Sequence, residues 1–94
     1  MTFNIPNTDG WGKVEFLNFT KSLRKNVLKM RSLKLSKKAK VMCSSALEDL
    51  NAIDELMTKK LTKRVHARAT ELAVWAVLKS TNVPIISLEH RTQQ

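Results

Sequence analysis

The sequence predicts an all-α protein: a small bundle of three main helices, expected to be completed by homodimerisation. Three observations lead there. Strong breakers are confined to the ends, since Gly12 is the last glycine and Pro84 the first proline after Pro6, so residues 13–83 contain neither. That stretch is rich in lysine and leucine, good helix formers, and has no turn pair such as Asn-Gly. Its apolar residues recur at steps of three and four. One continuous helix would be a rod of about 105 Å at about 1.5 Å per residue. The heptads that would sustain such a rod are not present throughout, so the chain must fold back on itself.

The lead-in, residues 1–12, is dominated by "NTDGWG", a cluster of turn formers. Phe3, Ile5 and Trp11 are expected to pack back on the bundle. The first helix, about 14–34, carries an apolar stripe of Phe16, Phe19, Leu23, Val27 and Met30. At about 100° per residue, Lys21, Lys25 and Lys29 fall on the opposite side, with Arg24 on the flank. Ser36 is a candidate N-cap for a second helix, whose seam is Ala39, Cys43, Ala46, Leu50, Ile53 and Met57. The third stripe is Leu61, Val65, Leu72 and Ala76. Thr58 or Thr62 marks a break between helices two and three, unless the helix runs through. "LAVWAVL", residues 72–78, is apolar all round, which predicts burial on every side in a core or a subunit interface. Leu72, Val74, Trp75, Val77 and Leu78 are therefore the candidate core or dimer residues. The helix ends near 80–82 because Pro84 disfavours helical geometry at Val83. Residues 84–94 read as an extended segment, "PIISL", and a mobile tail.

The 94 residues make one domain. At 43% hydrophobic and 27% charged the composition is that of a folded chain. Its longest apolar run is too short for a bilayer, which takes about 20 residues, so no membrane span is expected. No secretory or lipidation signal is found, and Cys43 is the only cysteine. These features predict an intracellular protein, cytoplasmic or, in a eukaryotic or viral setting, nuclear.

Net charge is +9, and the charge is segregated. Residues 21–40 hold nine lysines and arginines and no acid: Lys21, Arg24, Lys25, Lys29, Arg31, Lys34, Lys37, Lys38 and Lys40. A second basic block, residues 59–68, contributes Lys60, Lys63, Arg64 and Arg68, and the acids Glu48, Asp49, Asp54 and Glu55 lie between the two. Solubility surfaces mix signs. Two rows, Lys21/Lys25/Lys29 and Lys60/Arg64/Arg68, have the four-residue spacing that places cations along one helix face towards successive phosphates. Lysine outnumbers arginine twelve to five, which suits point-charge contact with phosphate over bidentate reading of bases. With no tyrosine and three phenylalanines, all near the N-terminus, a stacking platform for single strands is poorly supported, so duplex RNA or DNA is favoured. The expected function is a non-enzymatic duplex-binding protein, such as a small regulator or accessory protein of a virus or mobile element. The alternative is a basic helical module or inhibitor that docks on an acidic protein surface.

Catalytic and metal chemistry find no footing in the residues. Cys43 sits on the second seam and reads as a small buried residue. His66 reads as a surface histidine within the basic block, and Cys43, His66 and His90 form no metal-ligand pattern. Asp54 and Glu55 are neighbours that point apart on a helix. No phosphate loop or hydrolase motif occurs, so no cofactor is expected. A helix-turn-helix is disfavoured, because the third helix is too apolar in its second half to lie in a groove.

Overall fold

In the computed structural model, residues 5–83 are described. Helix α1 is Lys13–Arg31, α2 is Lys37–Leu56 and α3 is Lys63–Thr81, with no strand among the described residues. The tail at 84–94 and Phe3 lie outside the described residues.

Local chemistry sets each boundary. Thr8 to Trp11 form a tight turn, closed by Trp11 N–H donating to the Thr8 carbonyl at 3.0 Å. Gly10 supplies its positive φ of 80°. At the start of α1 the Glu15 carboxylate reaches back to accept from Gly12 N–H at 2.6 Å. Ser36 caps α2 as expected, its hydroxyl accepting from Ala39 N–H at 3.2 Å. The break between α2 and α3 falls at 57–62, and its two threonines divide the work. Thr62 caps α3 by accepting from Val65 N–H, whereas Thr58 donates to the Glu55 carbonyl at the end of α2.

Helix α2 is the centre of the bundle and packs antiparallel against both neighbours, while α1 and α3 touch little. All six predicted seam residues of α2 are buried. They meet Phe16, Leu23 and Val27 of α1 on one side, and Ala69, Leu72, Ala73, Ala76 and Val77 of α3 on the other. Small side chains on both helices, Ala39, Cys43 and Ala46 against Ala69, Ala73, Ala76 and Ser80, let α2 and α3 approach closely. Phe19, Met30, Leu61 and Val65 pack at the edge of this core, only partly buried.

Three expectations change. Trp75 is 52% exposed, so within the single chain α3 is not buried on every side and Trp75 is not a residue of its core. Leu72 and Val77 belong to the core of the single chain, and Val74 and Leu78 are half-buried. Ile5 is exposed and does not pack back, whereas Trp11 does, edge-on to Phe16 with ring centres 5.1 Å apart and tilted on Phe19 at 5.7 Å. His66 is a half-buried strut and not a surface residue. Its ring meets Phe16 edge-on at 5.2 Å, and Nε2 lies 3.1 Å from the Thr8 carbonyl, to which it donates. Beside it the Thr8 and Thr70 hydroxyls bond at 2.7 Å, tying the lead-in to α3.

Candidate nucleic-acid interface

The antiparallel α1–α2 hairpin turns over residues 32–36, which brings the end of α1 beside the start of α2. Arg31, Lys34, Lys37, Lys38 and Lys40 therefore gather at one corner, all with exposed side chains. Lys21, Lys25 and Lys29 are exposed on the outer side of α1 and lead up to that corner. Their steps of four residues put neighbouring Cα atoms about 6 Å apart along the axis.

Arg24 does not belong to this row. It is half-buried and turned towards α2, where it donates to Asp54 and, at 3.1 Å, to the Asn51 side chain. Asp54 also accepts from the buried Thr20 hydroxyl at 2.7 Å. This small network pins α1 to α2, and its cation is spent on a carboxylate of the same chain.

The second basic block lies at the opposite end of α2. Twenty residues of helix separate the two ends, about 30 Å at about 1.5 Å per residue. Lys60 falls in the 57–62 connection and is not on a helix, so Lys60, Arg64 and Arg68 form no continuous row. Lys63 and Arg64 occupy the first turn of α3, both exposed, and Lys59 in the preceding connection adds to them. Arg68 is exposed but donates to Glu71 one turn on, at 2.8 Å. Lys79 Nζ lies 2.8 Å from Asp49 Oδ2, a charge contact not aligned as a hydrogen bond, which joins α3 to α2.

Helices α2 and α3 share an electrostatic peculiarity. A helix N-terminus carries partial positive charge and is stabilised by acidic residues in its first turn. Helix α2 opens with Lys37 and Lys38, and α3 with Lys63 and Arg64; neither has an acid in that turn. By contrast α1 has Glu15 at its start and Lys29 and Arg31 at its end, as the dipole favours. Cations thus sit on the positive dipole ends of α2 and α3, each beside the C-terminus of the preceding helix, whose partial negative charge offsets part of the effect.

What the sequence did not indicate is apolar exposure on the outside of the bundle. Val14 is 64% exposed, Leu28 48% and Leu17 41%, all on α1. The available signal was a second set of positions on one helix face, Val14, Leu17 and Leu28 with Lys21 among them at steps of three, four and seven, out of phase with the core stripe.

Burial pushes the Cys43 thiol above its ordinary value, with Arg31 partly opposing the shift. Among the described residues no three His, Cys, Asp or Glu side chains come together as a metal site, and no helix is long and apolar enough to cross a membrane. No family model, curated protein or solved structure matches the chain.

Proposed function

We propose that this protein is a non-enzymatic, intracellular nucleic-acid-binding protein that contacts the phosphate backbone of duplex RNA or DNA. The observation that carries the reading is the placing of cations in the first turns of α2 and α3, where the helix dipole disfavours them. The C-terminus of the preceding helix offsets part of that local cost, and a polyanion converts the remainder into attraction, because phosphate interacts favourably with both side chains and helix N-termini. Lys21, Lys25 and Lys29 extend the corner formed by Arg31, Lys34, Lys37, Lys38 and Lys40. Lys60, Lys63 and Arg64, with Arg68 beside them, form a second contact about 30 Å away by helix rise.

The reading includes a homodimer in which a second copy covers the outer side of α3 around Trp75, with Val74 and Leu78 at its rim. A half-exposed tryptophan flanked by apolar neighbours is the kind of side chain that anchors an interface. A two-fold axis there doubles the basic surface.

The test is a salt titration of binding to duplex RNA, duplex DNA and single strands. Duplexes should bind best, with log K falling linearly in log salt at a slope of about −0.9 per phosphate neutralised. Changing Lys21, Lys25 and Lys29 together to Glu should weaken both duplexes by about a hundredfold or more at low salt, with little sequence dependence. Absence of binding to any polymer at low salt, or clear preference for single strands, ends this reading. Sedimentation of the Trp75→Glu variant tests the dimer, which should fall to monomer mass.

A further inference from the structure

We propose that the outer face of α1 is a docking site for an acidic amphipathic helix of another protein. Val14, Leu17, Lys21 and Leu28 share one face of α1 at steps of three, four and seven, and Lys25 and Lys29 run along its edge. Phosphate contact gives the three apolar side chains nothing to do, yet they are 64%, 41% and 48% exposed. Their arc, about 60° at about 100° per residue, is the narrow seam of helix-on-helix packing and not the apolar face of 100° or more that lies on a lipid surface. A rod-shaped partner matches such a seam over about 21 Å, from Val14 to Leu28 at about 1.5 Å per residue.

The charge on the seam specifies the partner. Lys21 lies between the apolar positions and Lys25 flanks it, both exposed. A second copy of α1 laid antiparallel about Lys21 matches Val14 with Leu28 at the ends but brings Lys21 against Lys21 and Leu17 against Lys25, so the centre of the face repels itself. The complement is a helix with apolar side chains towards both ends of the contact and carboxylates between them. Arg24 adds no charge to the seam, because Asp54 holds it. The inference does not depend on duplex binding, although both ligands would compete for Lys21 and Lys25.

The probe is a synthetic 21-residue helical peptide with Leu placed to face Val14, Leu17 and Leu28, and Glu placed to face Lys21 and Lys25. A scrambled peptide of the same composition is the control. The isotope-labelled 94-residue chain should show shifts along α1 with the matched peptide and at least tenfold weaker binding of the scrambled one. Leu17→Gln with Leu28→Gln should weaken the matched peptide by tenfold or more while leaving duplex binding unchanged. Circular dichroism of that variant verifies that the helices persist. Lys21→Glu with Lys25→Glu should weaken both ligands. Equal affinity for the scrambled peptide, or no effect of the leucine changes, overturns the proposal. So do vesicles of phosphatidylcholine and phosphatidylserine that bind the protein and lose it on the leucine changes, or a dimer that the same changes dissociate.

Discussion

At the scale of single residues, polar groups inside the bundle do specific work. Thr20 is buried, and its hydroxyl, Asp54 and Arg24 bond together across α1 and α2. Asp54→Ala removes the charged acceptor, leaving the half-buried Arg24 only the Asn51 side chain and Thr20 only the Leu17 carbonyl, and should cost about 1–3 kcal/mol in urea unfolding. Thr20→Val, which replaces the hydroxyl with a methyl of similar shape, should cost less. Cys43 offers a pH test. Because burial raises its thiol in the folded state, the unfolded chain releases the proton first. The stability linked to Cys43 is therefore full below about pH 8.5, the ordinary thiol value, and is lost as pH rises through the raised folded value. Denaturation curves collected from about pH 7 to pH 10 should slope downwards more steeply for the natural chain than for Cys43→Ala. The same thiol should resist alkylation until the chain unfolds.

At the scale of elements, the two helix starts separate stability from binding. Lys37→Glu with Lys38→Glu removes two cations from the N-terminus of α2 and supplies acids there. The fold should become more stable, by about 0.3–1 kcal/mol for each charge, while duplex affinity falls. A loss of stability together with binding would point to a structural role for these lysines instead. The α2–α3 contact makes a different prediction. Ala73 is fully buried between close-packed helices, so Ala73→Leu should overpack that contact and cost about 1–3 kcal/mol or more in thermal or urea unfolding. Thr62→Ala, which removes the cap of α3, should cost about 1 kcal/mol.

At the scale of the whole molecule, the basic residues divide between the two ends of α2 instead of forming one continuous track. A duplex that engages both ends makes their contributions nearly additive in log affinity, because the sites are about 30 Å apart by helix rise and share no partner. Changing Lys37, Lys38 and Lys40 together to Gln, and separately Lys60, Lys63 and Arg64, should each lower the salt slope by about 2–3 on long duplexes. On a duplex too short to reach both ends, only one set should matter at a time. If the second set has no effect at any length, the interface is the α1–α2 corner alone.

Much of this architecture was legible in the sequence. The missing breakers between Gly12 and Pro84, the heptad-like seam of α2 and the cap Ser36 depend on spacing and backbone preference, which are local properties, whereas the break at Thr58 or Thr62 stood beside a helix that runs through. Segregation of charge was legible for the same reason, and so was the corner at 31–40, because a five-residue turn leaves adjacent helices little choice but to run antiparallel. Tertiary packing decided the rest. Which side of "LAVWAVL" faces solvent depends on where α2 lies, so Trp75 emerged while Ala73 and Val77 went inside. Periodicity put Arg24 on the flank of α1, but that it serves Asp54, 30 residues away in the chain, needed the packing of α2. His66 became a strut only because the lead-in crosses α3 at Thr8. Periodicity tells how a helix divides into faces; only the positions of the other helices determine which face is covered.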